Sequence, residues 1–302
     1  MTSHSSFVRA RPAALAVLIA CAGVVAAGAA RSALQDMGRV YVTVVAGDGS
    51  PVTDLTAREF GVRENGADMA IESVAQAAEP MTIDLITDRL GVDATFTPAQ
   101  TRAALGAFVH TILEASPESR IGFRTFDGAS VQEVKPTSSL VLLDKAFKNV
   151  FTTNRNPVLL DAIADACEQM RQAAMPRRMV VALAAGYKTD TSSVLGSTAA
   201  ADLRHARTSL WAIEANTVTG GVQSPNREGI LLMGTRDSGG MLAVVNVGTA
   251  LEGAAARLAK LMLAQYVITY AGAGQWSSAV QFQVGTSRPN TKVLYPHWTF
   301  GK

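Results

Sequence analysis

The sequence RMVVALAA, residues 178–185, is apolar at every position after its first residue. A strand of this composition presents apolar side chains on both faces of the pleat, which a strand at the surface of an antiparallel sheet would not do. Strands in the middle of a parallel sheet have this pattern because helices cover both of their faces. The run therefore predicts the central strand of a helix-covered parallel sheet.

Strands and helices alternate on either side of this run. Thr97 and Pro98 open a helix with a side-chain cap and a proline at the first helical position. Six strands that alternate with helices predict an α/β fold, a doubly wound, mainly parallel six-stranded sheet over residues 80–272. Besides residues 178–185, the predicted strands are 81–88, 120–126, 210–213, 241–245 and 266–270, of which the last closes the sheet.

Two regions outside this alternation have the pattern of small antiparallel sheets. Between residues 38 and 78, β-forming segments are separated by turn residues, among them Asn65-Gly66, which supplies the positive φ of a tight hairpin. From residue 273 to residue 300, two further β segments follow one another without a helix between them. Since each region needs strand partners, we expect both to meet in one small β layer beside the α/β domain.

Residues 1–30 have the outline of a secretory signal peptide, with Arg9 and Arg11 before an uncharged apolar stretch that ends in small residues. Cleavage near Ala29 is one expectation, a lipid anchor on Cys21 is a second, and a retained anchor is a third. The chain has 27 Lys and Arg against 25 Asp and Glu, so losing two arginines leaves it neutral. We therefore expect an exported protein, periplasmic, secreted or lipid-anchored, with no nucleic-acid partner.

A motif at the start of the first β region resembles the opening of the von Willebrand factor A-related proteins of acidobacterial type. The family pattern is V-x-x-L-x-x-x-[DE]-F-x-V-x-E-x-G, and residues from Leu263 to Tyr295 are similar to the closing β region of that family. Together the two regions extend the resemblance over nearly the whole mature chain. In this sequence the pattern reads Val52, Leu55, Glu59-Phe60, Val62, Glu64 and Gly66.

The resemblance implies a metal site at the carboxyl edge of the sheet, made by Asp-x-Ser-x-Ser, a threonine and a second aspartate whose oxygens hold Mg²⁺. Here the first motif reads Asp88-Arg89-Leu90-Gly91-Val92, Pro157 stands in place of the threonine, and Ala185 in place of the second aspartate. We expect neither a metal nor another cofactor. One hypothesis is that the Arg89 guanidinium neutralises Asp88 in place of the ion, and the alternative is a solvated Arg89.

Other residues that could suggest catalysis or metal binding have simpler structural explanations. The string Asp237-Ser238-Gly239-Gly240 also occurs in serine proteases, but glycines that end a helix account for it. Four histidines and two cysteines show no metal-ligand spacing, and Cys167 is expected to be a buried apolar residue. Asp84, Asp88 and Asp93 are expected to cluster at the sheet edge, where they could serve acid–base chemistry.

Open α/β sheets bind ligands at the carboxyl ends of their strands. The leading hypothesis is a non-catalytic, exported module that binds a protein partner or serves envelope assembly through the loops at this edge. One alternative is a hydrolase that uses the acidic cluster, and another is a purely structural envelope component. The loops are residues 88–97, 154–158, 186–197 and 216–226, and the candidate binding residues are Asp88, Arg89, Asp93, Asn156 and Asp190.

Overall fold

The computed structural model describes residues 37–89, 96–153, 155–184, 189–215, 224–272 and 281–298. The expected signal peptide, Cys21, Asp93 and most of the 216–226 loop lie outside these residues. In the described part of the chain, no helix combines the length and the apolar composition that crossing a bilayer requires.

The chain forms strands β1 (Met37–Ala46), β2 (Phe60–Glu64), β3 (Ala67–Met69), β4 (Ile71–Gln76), β5 (Met81–Asp88), β6 (Arg120–Phe126), β7 (Ser130–Thr137), β8 (Arg177–Ala184), β9 (Ser209–Ala215), β10 (Leu242–Val245), β11 (Tyr266–Ala271), β12 (Phe282–Thr286) and β13 (Thr291–Leu294). The helices are α1 (Pro98–Ala115), α2 (Leu140–Phe147), α3 (Leu159–Arg171), α4 (Gly196–Ala206), α5 (Pro225–Gly229), α6 (Thr235–Asp237) and α7 (Leu251–Leu263). A π-helical turn, Ile230–Gly234, joins α5 to α6.

The main sheet has the strand order β10-β9-β8-β5-β6-β7. Strand β8 is parallel to both of its neighbours, β5 and β9. Its side chains alternate between two cores: Val181 packs in the core that includes α1 and α7, and Val180 in the core that includes α3 and α4. The predicted six-stranded, mainly parallel α/β sheet is confirmed, and β8 is its helix-covered central strand.

One of the six predicted strands was assigned to the wrong sheet. The segment 266–270 does not close the main sheet; as β11 it pairs antiparallel with β1 and β4. The sixth strand of the main sheet is β7, which returns antiparallel to β6 after a turn at Gly128, where φ is +69°. Strand β7 contains Pro136, which an edge strand tolerates because its outer N–H groups need no partner.

The segments near both chain ends form two small antiparallel sheets. Their strand orders are β13-β1-β11-β4 and β12-β2-β3, so the second β region pairs with the first through β12 with β2 and β13 with β1. The turn between β2 and β3 has positive φ at Asn65 and Gly66, as the sequence predicted. One apolar core joins both sheets, and it includes Val40, Val42, Phe60, Val62, Tyr266, Ile268, Phe282 and Val284.

Asp84 lies in the interior of the main sheet and not at its edge. Its side chain is fully buried, and its Oδ2 accepts a hydrogen bond of 3.2 Å from Nε of Arg124. Four residues of extended chain, about 13 Å, separate it from Asp88. The expected cluster of acidic groups at the edge therefore does not include Asp84.

Burial raises the pKa of the Asp84 carboxyl to about 6, against a smaller opposing effect of Arg124. An unfolded aspartate has a pKa of about 3.9, so between about pH 4 and pH 6 the folded chain binds more protons than the unfolded one. The contribution of Asp84 to stability therefore falls as the pH rises through this window.

Asp84→Asn removes this titration. We expect the free energy of unfolding of the variant, relative to wild type, to rise by up to about 3 kcal/mol between pH 4 and pH 6 and then to level off. Urea denaturation over a series of pH values measures the difference. Glu118→Gln changes an exposed carboxylate and should give no such slope. A pH-independent difference for Asp84→Asn would contradict the assignment.

Candidate functional site

The carboxyl edge of the main sheet is formed where β5, β6 and β8 end side by side. Asp88 is the last residue of β5, is buried, and lies in register with Phe126 of β6. Arg89 follows directly after the strand.

The Arg89 guanidinium is held by contacts from three different segments. Nη1 lies 3.0 Å from Oδ1 of Asp127, just after β6, and Nη2 lies 2.9 Å from Oε1 of Glu133 on β7. Nε donates a hydrogen bond of 3.0 Å to the carbonyl of Asn149. The guanidinium carbon lies 4.5 Å from the ring centroid of Phe151. Arg89 thus forms ion pairs with Asp127 and Glu133, two carboxylates that the sequence-based hypothesis of an Asp88–Arg89 pair did not include.

Further hydrogen bonds fix the carboxylate of Glu133. Thr125 Oγ1 donates to Oε1 at 2.8 Å, and Asn149 Nδ2 donates to Oε2 at 2.6 Å. The side chain of Arg89 is 15% exposed, that of Asp127 5% and that of Glu133 11%. A charge-assisted network with so little water access is strong when complete and costly when one partner is removed. We call Arg89, Asp127, Glu133, Asn149 and Phe151 the arginine cluster.

Asp190 has a structural role at the start of α3. Its Oδ2 accepts a hydrogen bond of 2.7 Å from the backbone N–H of Leu159, the first residue of the helix. Ser192 Oγ accepts from the N–H groups of Leu160 and Asp161 at 3.0 and 3.2 Å. The residue before the helix, Val158, has no side chain that could cap it. The 189–194 segment therefore supplies the cap from a distance in sequence, and Asp190 also complements the helix dipole.

Asn156 contributes to the edge through its backbone. Its carbonyl accepts a hydrogen bond of 2.7 Å from the N–H of Gly128, which ties the segment before α3 to the β6–β7 turn. Its side chain is exposed. The carbonyl of the neighbouring Pro157 accepts from the N–H of Thr191 at 2.9 Å. Asn156 is thus available to a ligand at the edge, whereas Asp190 is already occupied.

Three carboxylates at this edge, those of Asp127, Glu133 and Asp190, offer a divalent cation few free oxygens. Mg²⁺ takes several oxygen ligands in near-octahedral geometry. The carboxylates of Asp127 and Glu133 already pair with a guanidinium, that of Asp190 caps a helix, and Pro157 has no side-chain oxygen. Within the described ranges, no group of three or more His, Cys, Asp or Glu side chains is placed to hold a metal ion.

Four members of the arginine cluster were absent from the sequence-based candidates. Asp127 directly follows a predicted strand, just as Asp88 is the last residue of another, and this position at the carboxyl edge was a usable signal. Glu133 could be placed only by recognising β7. Asn149 and Phe151 lie in a segment without periodicity, and only their contacts with Arg89 reveal them.

The Asp-Ser-Gly-Gly string is structural, as expected. Ser238 is buried, and its hydroxyl accepts a hydrogen bond from Leu210 N–H at 2.8 Å and donates to the carbonyl of Thr235 at 3.2 Å. Gly239 has a φ of +79°. A Cβ atom on Gly240 would lie 1.9 Å from the carbonyl oxygen of Leu210, so the close approach of the helix end to β9 requires glycine. Cys167 is likewise buried, and burial raises its pKa.

Comparisons with known proteins give similarity at the level of the fold. No family model matches the chain, and no curated protein matches it. Similar solved structures include the vWF domain of the type V pili tip protein Mfa5 from Porphyromonas gingivalis, with a TM-score of 0.49, 10% identity and coverage of 61% of this chain and 95% of that one. The von Willebrand factor type A from Catenulispora acidiphila has a TM-score of 0.48 and 11% identity, and covers 87% and 74%.

The VWA domain of SpRpn10 is similar with a TM-score of 0.45 and 12% identity, over 60% of this chain and 93% of that one. All three structures are named as domains of the von Willebrand type that the sequence motifs resemble. Identities of 10–12% and TM-scores below 0.5 say nothing about the partners or the activity of this chain. Its function is therefore argued from the site alone.

Arg89→Met tests the arginine cluster. The substitution keeps an unbranched apolar stem but leaves two poorly exposed carboxylates without their cation, so we expect a loss of about 3 kcal/mol in the free energy of unfolding. Arg89→Lys should lose less, because an ammonium keeps the charge but cannot form both bonds with the same planar fork. Urea denaturation measures both changes.

Arg63→Met is the matched control, since Arg63 and its partner Asp68 are both exposed and should contribute little. Wild-type stability in Arg89→Met would show that the cluster is not a structural constraint.

Proposed function

We propose that this chain is an exported, non-catalytic binding module that recognises a protein partner through the carboxyl edge of its main sheet. The partner contacts the protein directly, and no metal ion bridges the two. Export rests on the pattern of residues 1–30, and binding at this edge rests on the arrangement around Arg89.

The exposed position of the Phe151 ring is the main support for this proposal. Its side chain is 48% exposed although its ring lies against the Arg89 guanidinium, which is itself fixed by two carboxylates. A large aromatic ring that is already held in place loses little conformational freedom when a partner covers it. Such rings are common among the few residues that contribute most of the energy of an interface.

The charges around Phe151 indicate the chemistry of the partner surface. Lys148 and Arg155 are exposed on either side of Phe151 in sequence and make no ion pair within the described residues. Arg89 pairs with the acidic groups beside them, Asp127 and Glu133, and balances one of their two charges, so the charges of Lys148 and Arg155 leave this surface positive overall. A partner that places an apolar contact on Phe151 and acidic side chains at the rim would therefore be complementary.

Phe151→Ala tests the proposal, with Leu232→Ala as its control. Leu232 is 60% exposed on the π-helical turn, so both substitutions remove an exposed apolar side chain, but only one lies at the edge. In affinity capture from envelope extracts, we expect wild type and Leu232→Ala to retain the same protein. Phe151→Ala should bind it at least about tenfold more weakly, because truncating an anchor residue costs more than about 1.4 kcal/mol.

Leu232→Ala should unfold at the wild-type temperature and Phe151→Ala within a few degrees of it, because an exposed cation–π contact contributes only about 0.5–1 kcal/mol. Equal affinity of Phe151→Ala and wild type for the captured protein would overturn the proposed binding surface.

A further inference from the structure

A cavity of about 310 Å³ lies at the opposite end of the main sheet from the arginine cluster. Its wall includes Arg177 and Ser209, the first residues of β8 and β9, and Tyr41 of β1. The cavity therefore lies between the amino ends of the parallel strands and the antiparallel sheet β13-β1-β11-β4. Four arginines line it: Arg39, Arg177, Arg178 and Arg207.

Arg177 gives the cavity a fixed positive charge. It is 3% exposed, and its guanidinium donates to the carbonyls of Ala77, Glu79 and Met262 and to the side-chain oxygen of Gln265. None of these acceptors carries a charge. Burial lowers the pKa of Arg177 to about 10, so it remains protonated at neutral pH. Because a buried cation without a carboxylate creates a strong local field, an anion in the cavity would be stabilised.

Two other arginines offer hydrogen-bond donors to the cavity. Arg178 donates to the carbonyls of Ala173, Met175 and Ala206, which leaves N–H groups of its guanidinium unused. Arg207 is exposed and has no hydrogen bond or ion pair from its side chain to any described residue. Arg39 pairs with Glu79, so its charge is compensated.

Tyr41 provides an independent indication of a ligand. Its hydroxyl is shielded from solvent and has no hydrogen-bond partner in the described part of the chain. A buried hydroxyl without a partner is costly, and native structures rarely leave one unsatisfied. Tyr41 lines the cavity, so a small rotation of its side chain would bring the hydroxyl to the open space, where a ligand oxygen would accept its hydrogen bond.

Besides the arginines and Tyr41, the wall has the polar residues Ser209, Ser238 and Gln265 and several apolar ones. Met179, Pro176, Ala174 and Pro296 line it alongside the arginines. A volume of 310 Å³ lies at the lower end of the range for small-molecule sites, which is roughly 300–1,000 Å³. The wall thus combines positive donors with an apolar surface that suits a compact organic group.

We propose that this cavity binds a small organic anion. Its carboxylate or phosphate group is held by Arg178 and Arg207 and accepts a hydrogen bond from the Tyr41 hydroxyl, and its compact apolar body packs against Met179 and Pro296. The site is separate from the protein-binding edge and does not depend on it.

Titration calorimetry on the full chain tests this assignment with four probes: phenyl phosphate, benzoate, benzamide and inorganic phosphate. We expect phenyl phosphate or benzoate to bind, benzamide to show no binding because it lacks the charge, and inorganic phosphate to bind at least about tenfold more weakly because it lacks the apolar body. Absence of binding by both aromatic anions would overturn the proposal, as would equal affinity for benzamide.

Two variants, Arg207→Gln and Tyr41→Phe, test whether the anion binds in this cavity. Arg207→Gln removes a donor and a charge and should weaken binding of the aromatic anion about tenfold or more. Tyr41→Phe removes only the hydroxyl, which has no partner in the protein, so it should weaken binding while leaving the thermal unfolding temperature unchanged or raised.

Arg204→Gln is the matched control, because Arg204 lies on the same helix end but lines a different cavity. Equal weakening by Arg204→Gln and Arg207→Gln would indicate a general charge effect and overturn the site. Unchanged affinity in both Arg207→Gln and Tyr41→Phe would overturn it as well.

Discussion

The carboxyl edge of this protein depends on one ionic interaction, the Arg89 guanidinium between Asp127 and Glu133. Both carboxylates are shielded from water, so a cation must accompany them for the edge to fold. The chain supplies that cation itself, from the residue directly after β5. Through the same guanidinium, the end of β5, the β6–β7 hairpin and the segment before α3 are fixed relative to one another. The exposed ring of Phe151 owes its position to this constraint.

The two ends of the main sheet differ in how their charges are balanced. At the carboxyl edge, acidic side chains are paired with Arg89 or cap α3. At the amino end, Arg177 is buried among uncharged acceptors, and Arg207 has no described acidic partner. What each end of the sheet can bind depends on the local pairing of charges and not on the net charge of the chain. A chain whose overall charge is close to zero can therefore present an apolar binding surface at one end and a site for anions at the other.

Local patterns predicted much of the fold. Residues 178–185 identified the central strand because apolar side chains on both faces require a core on each side. Thr97-Pro98 and Asn65-Gly66 were predicted from backbone chemistry alone, and both form the expected cap and turn. Strand β11 was placed in the wrong sheet because an apolar run does not specify its partners. Only the structure shows its alternation of buried and half-buried residues, which is typical of an antiparallel strand.

The sites were harder to predict, since distant segments build them. Asp88 and Arg89 were identified, but the partners of Arg89 come from β7 and the β6–β7 turn. Calorimetric titration of the full chain with Mg²⁺ tests most directly the claim that Arg89 takes the place of an ion at this edge. We expect no saturable heat of binding for the wild-type protein. Saturable binding at micromolar concentration, lost in Asp127→Asn, would contradict it.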